Sequence, residues 1–133
     1  MMVRTAQCRC GAVRAECRGE AVRVSVCHCL DCQRRSGSAF AAQARFPVDC
    51  VTITGETREW TRIAESGNRA VFRFCAACGS DIAYSAEVQP DLIAIPLGTF
   101  ADPGFTPAPE YSVFEKRKHG WVAIVGDAIE HFD

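Results

Sequence analysis

Along this chain apolar side chains return at every second position in short runs, and helical periodicity is nowhere sustained. Ala12 to Cys17, Ala21 to Val26, Ala39 to Phe46 and Val51 to Ile53 each show the alternation. A strand with this pattern turns one face to a core and the other away from it. The same pattern predicts strands at Arg58 to Arg62, Ala70 to Phe74, Ile82 to Ser85, Leu92 to Leu97, Ser112 to Phe114 and Trp121 to Val125. Turn residues separate them: Gly55-Glu56, Ser66-Gly67-Asn68, and Asp102-Pro103-Gly104, which opens a loop to Pro109 that could serve as a flap. The expected fold is all-β, an antiparallel meander in short sheets with little helix. With no linker, repeat or low-complexity tract, residues 1–133 read as one domain. Trp60, Phe72, Phe74, Phe100, Phe114 and Trp121 are expected in its core, with Cys17 and Cys50 as small buried residues. The charged stretch Glu115 to His119, and His131, are expected in solvent.

Charge changes the picture by subtraction. Fifteen Lys plus Arg against sixteen Asp plus Glu leave a net charge of -1, which gives no electrostatic reason to expect nucleic acid as a partner. The longest apolar run, between Asp91 and Asp102, is broken by Pro96 and Gly98, so membrane insertion is not expected either. Arg4 and Arg9 interrupt any signal-peptide core near the start, and the expected location is the cytoplasm. In such a reducing compartment nine cysteines point to metal binding or catalysis rather than disulfides.

Seven of the nine fall into two constellations. Cys8 and Cys10 stand two apart, and Cys75-Ala76-Ala77-Cys78-Gly79 is a C-x-x-C followed by glycine. On an extended segment Cys8 and Cys10 would project to the same side, while Gly79 permits the tight turn that aims Cys75 and Cys78 at one point. Four thiolates meet the tetrahedral demand of a closed, structural zinc. The alternative, a redox pair at Cys75 and Cys78, lacks the βαβ context that such pairs keep.

In the second constellation, Cys27-His28-Cys29-Leu30-Asp31-Cys32 presents three thiolates within six residues, directly after a predicted strand. Three ligands leave zinc a vacant position for water or substrate, as at a catalytic site, and a thiol placed there is held as the nucleophilic thiolate. His28 lies between two ligands and should face away from them. The alternative is a second structural zinc, closed by Cys50, Cys17 or a histidine. Asp31 is either an acceptor behind the ligands or an exposed turn residue. Downstream, Arg34 and Arg35 with Ser36-Gly37-Ser38 offer guanidinium groups and a hydroxyl-flanked turn to a carboxylate. The same arginines could instead balance the thiolate charge.

Taken together, these residues resemble the glutathione-dependent formaldehyde-activating enzyme family, the S-(hydroxymethyl)glutathione synthase-like proteins. The resemblance rests on Cys8-Arg9-Cys10-Gly11-Ala12-Val13, on Cys27-His28-Cys29 through Ser36-Gly37-Ser38-Ala39-Phe40, and on Phe74-Cys75-Ala76-Ala77-Cys78-Gly79-Ser80. It implies a β-tent fold, a structural zinc on Cys8, Cys10, Cys75 and Cys78, and a catalytic zinc on Cys27, Cys29 and Cys32. The implied activity is condensation of formaldehyde with glutathione, formally a carbon-sulfur lyase run in reverse. The match thins toward the C-terminus, where Pro109-Glu110-Tyr111-Ser112-Val113, Trp121 and Gly126-Asp127-Ala128-Ile129 replace the family's His-Ile, Trp and closing Asp-Gly-Leu-Pro. Two functions follow as expectations: an enzyme acting on adducts of a small thiol such as glutathione, or a non-catalytic zinc module that binds glutathione or a protein. A homodimer is compatible with either.

Overall fold

Two β-sheets carry the chain in the computed structural model, which describes residues 2–133. The smaller contains β1 (Val3–Gln7), β2 (Arg14–Arg18) and β5 (Val51–Thr54), in the order β1-β2-β5. The larger contains β3 (Arg23–Cys27), β4 (Ala41–Pro47), β6 (Thr57–Ile63), β7 (Arg69–Cys75), β8 (Asp81–Ala86), β9 (Leu92–Pro96), β10 (Tyr111–Val113) and β11 (Glu130–His131). Its order is β11-β10-β3-β4-β9-β8-β7-β6. The all-β expectation holds, and the antiparallel one holds for every pairing but two: β10 runs parallel to β3 and to β11. The chain leaves β9 by a long connection and returns beside β3 in the same direction, which a hairpin cannot do.

Alternation along β3, β4 and β9 divides the large sheet into an apolar face and a polar one. Val24, Ala44, Phe46, Ile93 and Ile95 join Ala6, Ala15 and Cys17 of the small sheet in one buried cluster. Alanines at 6, 15 and 44, all fully buried, keep the layer between the sheets thin, and Phe46 fills it beside Phe100 at 6.2 Å between ring centres. Truncating Phe46 to alanine would remove about 3–5 kcal/mol. The loop from Asp102 is no flap over this molecule's cysteines. Its Phe105 packs edge-on against Phe100 at 5.0 Å and lies under the Arg4 guanidinium at 4.2 Å, on the core side.

Some sequence expectations fail for identifiable reasons. Strand β1 is not among the strands expected from alternation: of its five residues Val3-Arg4-Thr5-Ala6-Gln7 only Ala6 is buried. The helix α1 (Leu30–Ser36) was missed because seven residues are too few to show a period, although its ends are marked. Cys29 caps its start by accepting from Cys32 N–H, Asp31 lies in its first turn, Arg34 and Arg35 in its last, and Gly37 closes it in the left-handed conformation at φ 64°. Residues 121–125 form no strand. Trp60, Phe114 and Trp121 are exposed rather than core: Trp60 stands on edge strand β6, and Trp121 meets only His119 in a T-shaped pair among the aromatic contacts of the described residues. Cys17 is fully buried, whereas Cys50 is half-exposed in a 3-10 turn.

Candidate metal centres and the cavity between sheet and helix

Three separate turns assemble the first cysteine cluster. Cys8 and Cys10 lie in the connection from β1 to β2, a turn closed by Gly11 N–H to the Cys8 carbonyl at 3.1 Å, rather than on an extended segment as expected. Cys75 ends β7, and the chain doubles back through Cys78 and Gly79, whose φ of 80° suits glycine, with Gly79 N–H bonded to the Cys75 carbonyl at 2.9 Å. The turn at Gly55 locks the two together. A Cβ there would stand 2.2 Å from the Ala12 carbonyl oxygen, so only glycine lets the β5–β6 turn lie against the Cys8–Cys10 loop.

All four sulfurs lie within 4.8 Å of one another. Cys8 Sγ to Cys10 Sγ is 3.6 Å and Cys10 Sγ to Cys75 Sγ is 3.7 Å. Four sulfurs about 2.3 Å from a tetrahedral centre stand about 3.8 Å apart, so the group could hold a metal ion without rearrangement. Backbone amides already point at them: Val13 N–H donates to Cys8 Sγ at 3.2 Å, and the N–H groups of Ala77 and Cys78 donate to Cys75 Sγ at 3.4 Å each. Hydrogen bonding to the Ser80 hydroxyl pulls the Cys78 thiol down to about 5.

The second cluster joins the end of β3 to the start of α1. Cys27, Cys29 and Cys32 also hold their sulfurs within 4.8 Å, and among the described residues no fourth Cys, His, Asp or Glu completes this group. His28 is fully buried on the opposite side, its Nε2 2.9 Å from the Ser112 hydroxyl. Asp31 does not back the sulfurs; it pairs with Arg62 at 3.2 Å and ties the helix to β6. Arg35 approaches them, its Nη2 3.9 Å from Cys32 Sγ and its Nη1 3.4 Å from Asp81. Hydrogen bonding from Cys27, followed by this arginine's charge, lowers the Cys32 thiol to about 6, while the same contact with Cys32, together with burial, pushes Cys27 up.

A cavity of about 400 Å³ opens beside Cys27 and Cys32 on the polar face of the large sheet. Strand register explains its lining. Arg23, Arg45, Ala94, Tyr84, Phe72 and Trp60 are successive cross-strand partners, so they form one row on one face. Ser25, Gln43 and Tyr111 form the next row. Arg23, Arg45, Tyr84, Gln43 and Tyr111 all border the cavity with the two cysteines, and neither arginine has a carboxylate partner among the described residues. Of the residues downstream of the cysteines, none of Arg34, Arg35, Ser36, Gly37 and Ser38 lines it. Gly37 N–H is spent on the Gln33 carbonyl at 2.9 Å and the Ser36 hydroxyl on the Cys32 carbonyl at 2.8 Å. Sequence reasoning overlooked Arg23, Arg45 and Tyr84, although Arg23-Val24-Ser25-Val26-Cys27 already alternates polar with apolar toward the cluster.

An all-β protein with two thiol clusters that could each hold a metal ion, one of four sulfurs and one of three with two of its cysteines bordering a cavity, is the class defined by fold and site. A family model described as glutathione-dependent formaldehyde-activating enzyme matches residues 3–117, and the chain belongs to that family. The match includes the first C-terminal departure, at residues 109–113, and stops before Trp121 and the stretch 126–129. Among solved structures, a Rhodobacter sphaeroides protein shares the fold at a TM-score of 0.59 and 19% identity, covering 77% of this chain and 91% of that one. No curated protein matches the chain. Among the described residues no helix is long and apolar enough to cross a membrane.

Proposed function

We propose that the chain is a zinc-dependent enzyme that joins a small carboxylate-bearing thiol, glutathione or a close relative, to formaldehyde or a similar small aldehyde, and catalyses the reverse carbon-sulfur cleavage. One observation carries the reading: Cys27 and Cys32 of the three-cysteine cluster border a cavity that is also lined by two guanidinium groups, Arg23 and Arg45, with no carboxylate partner among the described residues. Membership of the family supplies glutathione and formaldehyde as the chemistry to test.

On this reading Cys8, Cys10, Cys75 and Cys78 hold one zinc as a staple between the start of the chain and its middle. Cys27, Cys29 and Cys32 hold the other, which when bound keeps the substrate thiol ionised at neutral pH. The chain's own residues do the rest. Arg23 and Arg45 receive carboxylate, held in place by Gln89 and Ser25 at 3.0 and 2.9 Å. Tyr111, Val113 and Phe114 wall the cavity beside the cysteines. On this reading Arg35 balances the negative sulfurs, the alternative use expected of it, and the carboxylate task expected of Arg34, Arg35 and the Ser36-Gly37-Ser38 turn falls to the sheet. No step needs a membrane or a nucleic acid, and cytoplasm is the setting in which seven reduced cysteines persist.

The test is exchange between formaldehyde, glutathione and their adduct, followed by magnetisation-transfer NMR with zinc-loaded protein. Faster exchange with wild type, abolished by Cys29→Ser, is the expected result. Calorimetric binding of glutathione without any change in exchange would replace the enzyme with a non-catalytic glutathione-binding module.

A further inference from the structure

Tyr84 occupies the centre of the polar row, and its neighbours hold it from both sides. Between β4 and β8 stands Ala94, whose methyl leaves the space above β9 open, so that Arg45 reaches across it. Arg45 Nη2 donates to the Tyr84 hydroxyl at 3.1 Å while Nη1 donates to Ser25 at 2.9 Å. On the other side Phe72 stacks on the Tyr84 ring at 5.0 Å, and the Arg35 guanidinium lies over it at 4.9 Å. The ring is clamped between two arginines and one phenylalanine, with its oxygen at the cavity that Cys27 and Cys32 also border.

A phenol has one proton to give, and arginine has no acceptor to take it. Since the Tyr84 oxygen accepts from Arg45, its proton is turned elsewhere, and among the described residues no acceptor meets it. Burial pushes the Tyr84 hydroxyl up from its ordinary value, so the proton stays on at neutral pH. A fixed, protonated donor backed by a guanidinium, beside a sulfur cluster, is suited to an oxygen on which negative charge develops.

We propose that Tyr84 donates a hydrogen bond to the reacting oxygen of the substrate, the oxygen that is carbonyl in the aldehyde and hydroxyl in the thiol adduct. The inference rests on the function proposed above and adds a catalytic residue to it. In the forward direction the thiolate sulfur attacks the carbonyl carbon, a carbon-sulfur bond forms, and the π pair moves onto oxygen, where Tyr84 O–H meets it. The oxygen then takes a proton from water. The thiol gave one proton to water on ionising, so thiol plus aldehyde gives adduct with none gained or lost, and Tyr84 keeps its own throughout.

Tyr84→Phe in zinc-loaded protein tests this. Exchange should slow ~100-fold or more, as on loss of one oxyanion donor, with zinc content and glutathione affinity retained. A second readout is independent of turnover: the infrared carbonyl stretch of bound S-[1-13C]acetylglutathione should lie lower on wild type than on Tyr84→Phe. Should that variant fold poorly, ring-fluorinated tyrosine in a Tyr111→Phe background leaves only position 84 labelled, since the chain has two tyrosines, and its more acidic phenol should lower the stretch further. Equal rates and equal frequencies in wild type and Tyr84→Phe overturn the proposal while leaving the enzyme reading intact. A shifted carbonyl without any glutathione-dependent exchange keeps the contact and removes the enzyme. If the probe does not bind wild type, exchange alone decides: an unchanged rate in Tyr84→Phe overturns the proposal, and absence of glutathione-dependent exchange in wild type overturns the enzyme reading.

Discussion

Two cysteine clusters drawn from one short chain differ in where their sulfurs come from along the sequence and in what stands beside them. In the first, Cys8, Cys10, Cys75 and Cys78 come from segments far apart in sequence, Cys8 and Cys75 are buried, and backbone amides of Val13, Ala77 and Cys78 surround the sulfurs. In the second, Cys27, Cys29 and Cys32 are local, two of them border a cavity, and a guanidinium rather than a fourth thiol approaches. Closing a long loop changes stability; leaving a face open to a cavity changes chemistry. The number of sulfurs matters less than where the chain brings them from.

The largest effect should come from breaking the staple. Cys75→Ser leaves three sulfurs on a site whose proposed zinc would contribute on the order of 10 kcal/mol, as much as a domain's net stability, so far-ultraviolet circular dichroism should show an unfolded chain at 25 °C. Cys29→Ser sharpens the contrast. Serine can still cap α1, so the variant should unfold cooperatively near the wild-type midpoint while binding one zinc fewer per chain and losing exchange activity. If Cys29→Ser unfolded as Cys75→Ser does, the second cluster would be a staple as well.

Smaller effects separate the cavity from its surroundings. Arg45→Met should weaken glutathione binding about 10–100-fold by calorimetry, the loss of a charged hydrogen bond, whereas Arg34→Met should leave it nearly unchanged. The smallest concerns Glu115, near the parallel strand β10 that flanks Cys27. Its hydrogen bond to His131, 2.6 Å long, followed by Ser112, holds the carboxyl below its ordinary value. A lowered folded value means stability that is present above the unfolded glutamate pKa and lost as pH falls through the folded one. Denaturant melts in acid should therefore lose up to about 1 kcal/mol more in wild type than in Glu115→Gln, discounted for the exposed His131.

Legibility followed locality. Cys75-Ala76-Ala77-Cys78-Gly79 and Cys27-His28-Cys29 could be read directly because the residues that cooperate are neighbours, and the family resemblance drew on the same motifs. His28 was placed correctly by strand alternation alone. Helix α1 escaped because its period is too short to register, although Gly37 after Arg34 and Arg35 was a stop signal. Arg34 and Arg35 drew attention by adjacency to the cysteines, yet Arg23 and Arg45 are the ones that share the cavity.

Spacing of polar and apolar side chains was enough to determine the β class, the two sets of thiols and the capacity of each to bind an ion, because strand alternation and turn chemistry act over a few residues. Strand order decided the rest. Which face of the large sheet meets the small one, which arginines border the cavity with Cys27 and Cys32, and whether Tyr84 meets Arg45 depend on pairings such as β4 with β9 and β10 with β3. Those pairings join residues tens of positions apart, and nothing local along the chain selects among them; burial of one shared core does.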